Sequence, residues 1–444
     1  MPNEKELYRI GVLALKSAMK PEEWLDRRKK FELWQQGASS SESDPYPAAM
    51  KPSDIFGWYI FVGELALEDK YALDPSEAAR VLPVLTGLAE RWGFASRIKG
   101  MDIKLRELAG PRCAEPDSGF FEIAVALAYA EKGFDVTFIP EEPGIRKTPD
   151  LHVTRGDLEF FIECKRQVAP GEYGLIQKKN WKRLWEPLEK RLVEIGNSVW
   201  LKIEFRVELS SIESCYLVEQ IEHKLANVDG EMVLLDNELM KVEAKPVPLD
   251  RVAAHLSEAF VKVRGTQERS LLGEAWAPPR ASMESTCIGT RMKPIASMPD
   301  WIARSFWDTI SFGCGATWKC VAERSIEMQA RDVKALFSRA IEQLPMDKLG
   351  IIHIMSETLS GNDVEIRRTK KIEESIAAFS INRPVIGLLY HRIQTESPVK
   401  TVFNFDESVT DFWRVKGIKS QFPLFVFLPR ETSKRDGGHW NHYE

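Results

Sequence analysis

The 444-residue sequence predicts an α/β (α+β) protein, a mixed sheet flanked by helices with a helical domain ahead of it. Three observations carry this. Residues 4–35 and 55–93 repeat apolar side chains at helical spacing. Residues 148–165 hold two β-favouring runs separated by a two-residue turn, as in a hairpin. Farther on, an amphipathic helical pattern leads into the continuous apolar segment 350–355, which suits a strand covered on both faces.

In the first region Leu7, Ile10, Leu13 and Leu15, then Trp24, Phe31 and Trp34, mark two helices. The stretch Gly37 to Asp44 holds four serines and is expected to be a linker or mobile loop. Trp58, Leu65, Leu85, Leu88 and Trp92 mark the next helical group, opened in its last part by Asp74-Pro75-Ser76 and kinked or divided at Pro83. Residues 1–100 are thus expected to form an all-helical domain without a chemical constellation, suited to contact with a partner protein or a second copy, or to nucleic-acid guidance. Ser118 to Gly133 predicts a further helix, capped by Asp117 or Ser118 and stopped at Gly133. Glu122 is the one charge between Phe120 and Ala130, which is costly unless the carboxylate is partnered. The alternative is an acid placed in the first helical turn, where the helix dipole favours it. A short strand follows at Phe134 to Ile139, then a loop containing Pro140, Pro143 and Gly144.

The hairpin holds the chemistry. Gly156-Asp157 places glycine at the first central position of a II′ turn, and if Arg155 faces Leu158, Asp150 lies opposite Glu163. Alternation then puts Leu151, Val153, Leu158, Phe160, Ile162 and Cys164 on a core face. Asp150, His152, Thr154, Glu159, Phe161, Glu163 and Lys165 take the other face, with the two carboxylates roughly 5 Å apart at Cβ. Such a repulsive pair is tolerable if solvent screens it, as on an ordinary surface hairpin. It is also tolerable if a divalent cation sits between the oxygens, with Lys165 beside it to orient a water near a phosphate.

Pro149-Asp150 followed by Glu163-Cys164-Lys165 resembles the signature of the PD-(D/E)xK nuclease superfamily, over residues 115–166. Glu-x-Lys recurs at Glu68, Glu222 and Glu243, and Pro-Asp at Pro116 and Pro299, but only the pair at 149 and 163 is joined by a predicted hairpin. The resemblance implies a restriction endonuclease-like core of order αβββαβ. It further implies that Asp150 and Glu163 ligate Mg²⁺, that the Cys164 carbonyl adds a ligand, and that Lys165 positions or activates the attacking water. A glutamate from the preceding helix often joins such sites, a role Glu122 matches.

Residues 175–195 read as a helix, with a possible kink at Pro187. Lys178, Lys179, Lys182, Arg183, Lys190 and Arg191 stand there beside Trp181 and Trp185. This mixture suits phosphates and stacked bases, and equally a solvated amphipathic face. Leu201 to Leu209 alternates as a strand with one wet face. The helix Arg331 to Leu344 and the strand Gly350 to Met355 fit the missing half of the core better. The expected organisation is therefore a discontinuous nuclease domain, 101–170 plus 331–430, around an inserted α/β region at 171–330. Strands at Val385 to Tyr390 and Leu424 to Leu428, with a helix near Lys370 to Phe379, extend the sheet. Arg367, Arg368, Lys370 and Lys371 at that helix entrance are phosphate contacts or solvated surface. Gly265 to Pro294 reads as a mobile loop and 431–444 as a flexible tail.

Charged residues make up 29% of the chain and apolar ones 44%, as in soluble globular proteins, and a net charge of -5 requires any phosphate-binding surface to be local. The first residues lack a signal-peptide pattern and no apolar run reaches the length of a membrane span, so a cytoplasmic location is expected. Six dispersed cysteines suit free thiols, Cys314 and Cys320 included, rather than a zinc site. Together these readings predict a Mg²⁺-dependent nuclease, with Mn²⁺ able to substitute, that hydrolyses phosphodiester bonds of nucleic acid. DNA is the expected polymer, and fold-level analogy suggests restriction, repair or anti-phage defence. The alternatives are a nuclease-like module that binds nucleic acid or assembles without turnover, and a metal-dependent hydrolase of a small phosphorylated molecule.

Overall fold

The computed structural model describes residues 3–40, 54–68, 73, 75–111, 113, 115–141, 147–167, 172–261, 263, 266–277, 282–291, 306–357, 362–377, 383–396, 404–415, 417 and 419–427. It is a mixed α/β protein built on two sheets. Helices α1 (Glu4–Lys16), α2 (Pro21–Ser40), α3 (Ile55–Glu68) and α4 (Pro75–Arg91) come first. α3 is apolar almost all round, and every residue from Ile55 to Leu65 is buried. Its Gly63 is required by close approach, because a Cβ there would stand 2.5 Å from Val12 and 2.7 Å from Leu85. The buried Glu64 is satisfied by Lys16 at 2.9 Å, Trp24 at 3.0 Å and Arg28 at 2.9 Å. α4 runs through Pro83 as one helix, and α2 continues through Gly37–Ser40, where a linker was expected; residues 41–44 lie outside the described residues.

Next come β1 (Ile98–Lys99), α5 (Met101–Ala109), α6 (Asp117–Glu131), β2 (Asp135–Phe138), β3 (Leu151–Arg155) and β4 (Leu158–Arg166). The hairpin has the predicted register, Arg155 to Leu158 through Leu151 to Ile162, closed by Gly156 at φ 59°. Leu158 departs from the expected core face and is 38% exposed, because it sits at the turn end beyond the covering helices.

The chain then leaves this sheet for α7 (Glu172–Ile195), β5 (Val199–Phe205), α8 (Tyr216–Leu225), β6 (Met232–Asp236), β7 (Met240–Pro246), α9 (Leu249–Glu258), α10 (Thr266–Gly273), β8 (Ser282–Arg291) and β9 (Trp307–Cys320). The five strands form a second sheet in the order β6-β7-β5-β9-β8. Leu201, Ile203 and Phe205 face α7 and α8, whereas Trp200 packs with residues of α9 and α10. The segment expected as a mobile loop from Gly265 thus contains α10 and β8. Polar residues such as Ser282, Glu284 and Thr286 hide β8 from a hydrophobic pattern, and its ladder with β9 holds it.

Finally α11 (Glu323–Gln343), β10 (Gly350–Glu357), α12 (Asn362–Ala377), β11 (Val385–Glu396) and β12 (Asn404–Trp413) return to the first sheet, whose order is β1-β2-β3-β4-β10-β11-β12. β10 is parallel to β4, with Ile352 beside Glu163 and Ile354 beside Lys165. It is buried from Gly350 to Ser356, as an apolar strand covered on both faces should be. α12 starts eight residues before Lys370, so Arg367, Lys370 and Lys371 lie within the helix, not at its entrance.

The strand expected at Leu424 to Leu428 is absent across 424–427. Its backbone is satisfied by side chains instead: the N–H groups of Val426 and Phe427 donate to Glu407 at 3.1 and 3.0 Å, and Arg91 donates to the Val426 carbonyl at 2.7 Å. β12 closes that end of the sheet instead. Residues 431–444 lie outside the described residues. α1–α4, α6 and β2–β4 share one apolar core, in which Leu85, Phe120, Leu151 and Ile162 are almost fully buried. Among the described residues no helix is long and apolar enough to cross a membrane.

Candidate active site

Five of the predicted residues, Glu122, Asp150, Glu163, Cys164 and Lys165, meet at one end of the strands of the first sheet. Asp150 precedes β3 by one residue; the ladder ends at Leu151 opposite Ile162, and the Asp150 N–H donates to the Ile162 carbonyl at 3.1 Å, one residue off that register. Its Oδ2 accepts the Cys164 N–H at 2.7 Å, at a point where β3 has ended and can no longer serve β4. The Cys164 thiol points into the core while its backbone lies against Asp150. Glu163 is 0% exposed, and Lys165, two residues along the same face, forms an ion pair with its Oε1.

Glu122 reaches the site from α6. It lies in the second turn, beyond Asp117, which takes the first-turn position favoured by the helix dipole and pairs with Arg166 at 3.2 Å. The partner of Glu122 is Lys104 of α5. Lys104 was not found in the sequence because nothing local distinguishes it. α5 enters the cleft only because β1 pairs with β2 and Gly100, at φ 81°, turns the chain into the helix. A cleft of about 360 Å³ opens over these groups, with Lys104, Glu122, Asp150, Cys164 and Lys165 in its wall and Ile103, Lys147 and Gln343 around them.

The electrostatics are strained in one direction. Burial, reinforced by the charge of Asp150, pushes the Glu122 carboxyl up to about 7 against the pull of Lys104 and Lys165. Burial and then the Glu163 charge raise Asp150 to about 7. Burial raises Glu163 to about 7 despite Lys165. Burial works to lower both lysines, yet the surrounding carboxylates hold them above the usual lysine value. Neither oxygen of Glu163, nor Oε2 of Glu122, has a hydrogen-bond partner of good geometry. Buried polar atoms left in this state are rare in folded proteins. Hard oxygen donors in a cleft, short of partners, fit a small divalent cation. Among the described residues no three His, Cys, Asp or Glu side chains already converge as a ligand set. Glu122 and Glu163 are each turned to a lysine instead.

The other candidates lie elsewhere. His152 is half-buried, stacks on Phe161 and pairs with Glu159 at 3.0 Å, toward the turn end of the hairpin. Lys178, Lys179, Lys182 and Arg183 line a shallow depression on α7 with Leu175 and Ser214, outside the carboxylate cleft. Arg183 is engaged there by the Leu209 and Ile212 carbonyls at 3.1 and 2.6 Å. Burial, with Arg80 and Lys182 nearby, lowers the Lys178 ammonium despite Glu357. Trp181 and Trp185 are 1% and 5% exposed and stack on each other in the core, so of the two readings of this helix it is the amphipathic one that their burial fits, and they cannot receive bases. No protein-family model, curated protein or solved structure matches the chain.

Proposed function

We propose that the protein is a metal-dependent nuclease, a phosphodiester hydrolase with a restriction endonuclease-like core that acts on nucleic acid, DNA first. The observation that carries this is the buried Glu163, paired with Lys165 and otherwise without a hydrogen bond of good geometry, adjacent to Cys164 and Lys165 in the wall of a cleft that also holds Asp150 and Glu122. The element order supports it: α6, the antiparallel β2-β3-β4, then α11 and β10 parallel to β4, is the αβββαβ succession that the Pro149-Asp150 and Glu163-Cys164-Lys165 resemblance implies.

Asp150, Glu163 and Glu122 would hold Mg²⁺ or Mn²⁺, with the Cys164 carbonyl as a further oxygen donor. When bound, such an ion supplies a Lewis acid for the phosphoryl oxygens and a bound water of lowered pKa. Lys165, on the strand face of Glu163, orients the attacking water and steadies the negative charge that grows on the phosphate. The Cys164 N–H keeps Asp150 aimed. The low exposure of the floor excludes competing water. The second-sheet body presents Lys178, Lys179 and Lys182 as a separate surface for the polymer backbone.

The test is incubation with linear, circular and single-stranded DNA and with RNA, under Mg²⁺, Mn²⁺ or EDTA, beside Asp150→Ala and Lys165→Ala. Products resolved by size are expected only with metal and only for the unsubstituted protein. Cleavage that survives both substitutions refutes the proposal, and metal-independent binding without cleavage of any substrate points to a module without turnover.

A further inference from the structure

We propose that Lys104 is a stand-in cation: its ammonium occupies Glu122 while the site holds no divalent ion, and yields that carboxylate when one binds. The inference rests on the metal-site reading above. Lys104 comes from a different element than the other groups, in the first turn of α5, where its N–H donates to the Gly100 carbonyl at 2.9 Å. Its side chain is 16% exposed and its Nζ lies 5.8 Å from the centre of the Phe138 ring, so it reaches in from the cleft wall. The contact it makes is an ion pair to a Glu122 oxygen that lacks a hydrogen bond of good geometry. Its field also bears on Asp150.

Charge decides which lysine moves. With the three carboxylates ionised, as ligation requires, they and the two ammonium groups sum to about -1, and a doubly charged ion reverses the sign. An ammonium still seated on Glu122 would then stand against a like charge. Lys165 is fixed to the strand of Glu163, two residues along one face. Lys104 stands on its own helix and can turn into the cleft that it lines. There a phosphate oxygen is the complementary partner, so the displaced ammonium passes from holding the empty site to holding substrate.

The experiment is calorimetric titration of the full-length protein with Mn²⁺. Lys104→Met is expected to bind Mn²⁺ about tenfold or more tightly than the unsubstituted protein, since it removes a competing charge at contact distance. Lys104→Gln, which keeps a polar side chain, should behave likewise. Lys104→Arg, which keeps the competitor, should stay within about threefold of the unsubstituted protein. In a Glu122→Gln background, the gain from Lys104→Met should shrink markedly, because the contested carboxylate is gone. If Lys104 were only a brace that aims Glu122, both neutral variants would bind Mn²⁺ more weakly, and that result, or no change, overturns the inference. Absence of Mn²⁺ binding that is sensitive to Asp150→Asn in the unsubstituted protein overturns the metal-site reading itself, and this inference with it.

Discussion

Loading the cleft with a divalent cation should expel protons. Glu122, Asp150 and Glu163 are each raised to about 7 in the metal-free fold, chiefly by burial. At pH 7 each is therefore about half protonated, and ligation requires all three to ionise. About 1.5 protons should leave per ion bound at pH 7, rising to about 2.7 at pH 6 and falling to about 0.1 at pH 8.5, with coupling among the three spreading the transition. Isothermal titration with Mg²⁺ or Mn²⁺ in buffers of different ionisation enthalpy reads this number directly. The stability of the metal-free protein follows with a definite sign. These folded pKa values lie above the unfolded ones, so the contribution is fully present below about pH 4 and is lost as pH rises through about 7. Saturating Mg²⁺ should accordingly raise the thermal midpoint more at pH 8 than at pH 5.5. Binding at pH 7 with release of fewer than about 0.3 protons would refute the idea that these buried carboxylates are the ligands.

Two further perturbations probe the scaffold and the outlying basic surface. Glu407→Leu removes the acceptor for His391 Nδ1 at 2.8 Å and for the N–H groups of Val426 and Phe427. It should destabilise by on the order of 3–5 kcal/mol, because buried donors are left unsatisfied. Glu407→Gln, which keeps an acceptor oxygen, should lose less, and chemical denaturation in which the two lose equally would contradict the argument. Exchange of Lys178, Lys179 and Lys182 for Gln should flatten the dependence of log Kobs on log salt for single-stranded DNA by about 2, at roughly 0.7 per phosphate contact. Fluorescence anisotropy across a salt series measures it, and an unchanged slope would remove α7 from the binding surface.

Much of the site was legible because its logic is local. A two-residue period around Gly156 determines which residues of the hairpin oppose one another, so the pairing from Leu151–Ile162 to Arg155–Leu158 and the placement of Lys165 on the face of Glu163 follow from a window of 18 residues. The strand at 350–357 was equally legible, since an uninterrupted apolar run has few other uses. Periodicity failed where partners replaced it. The apolar run Leu424 to Leu428 reads as a strand, but Glu407 and Arg91 satisfy its backbone at Val426 and Phe427. β8 is polar enough to pass for a loop, but a ladder with β9 holds it.

Sequence alone thus determined the hairpin and the α/β class, because both arise from spacing along one stretch of chain. Tertiary structure alone decided that Lys104 meets Glu122, that Arg183 serves the Leu209 and Ile212 carbonyls, and that Trp181 and Trp185 are core. Those outcomes depend on which distant elements pack together. A side chain's charge or aromatic ring is the same residue in a pattern whether it ends in solvent or against a partner from elsewhere in the chain.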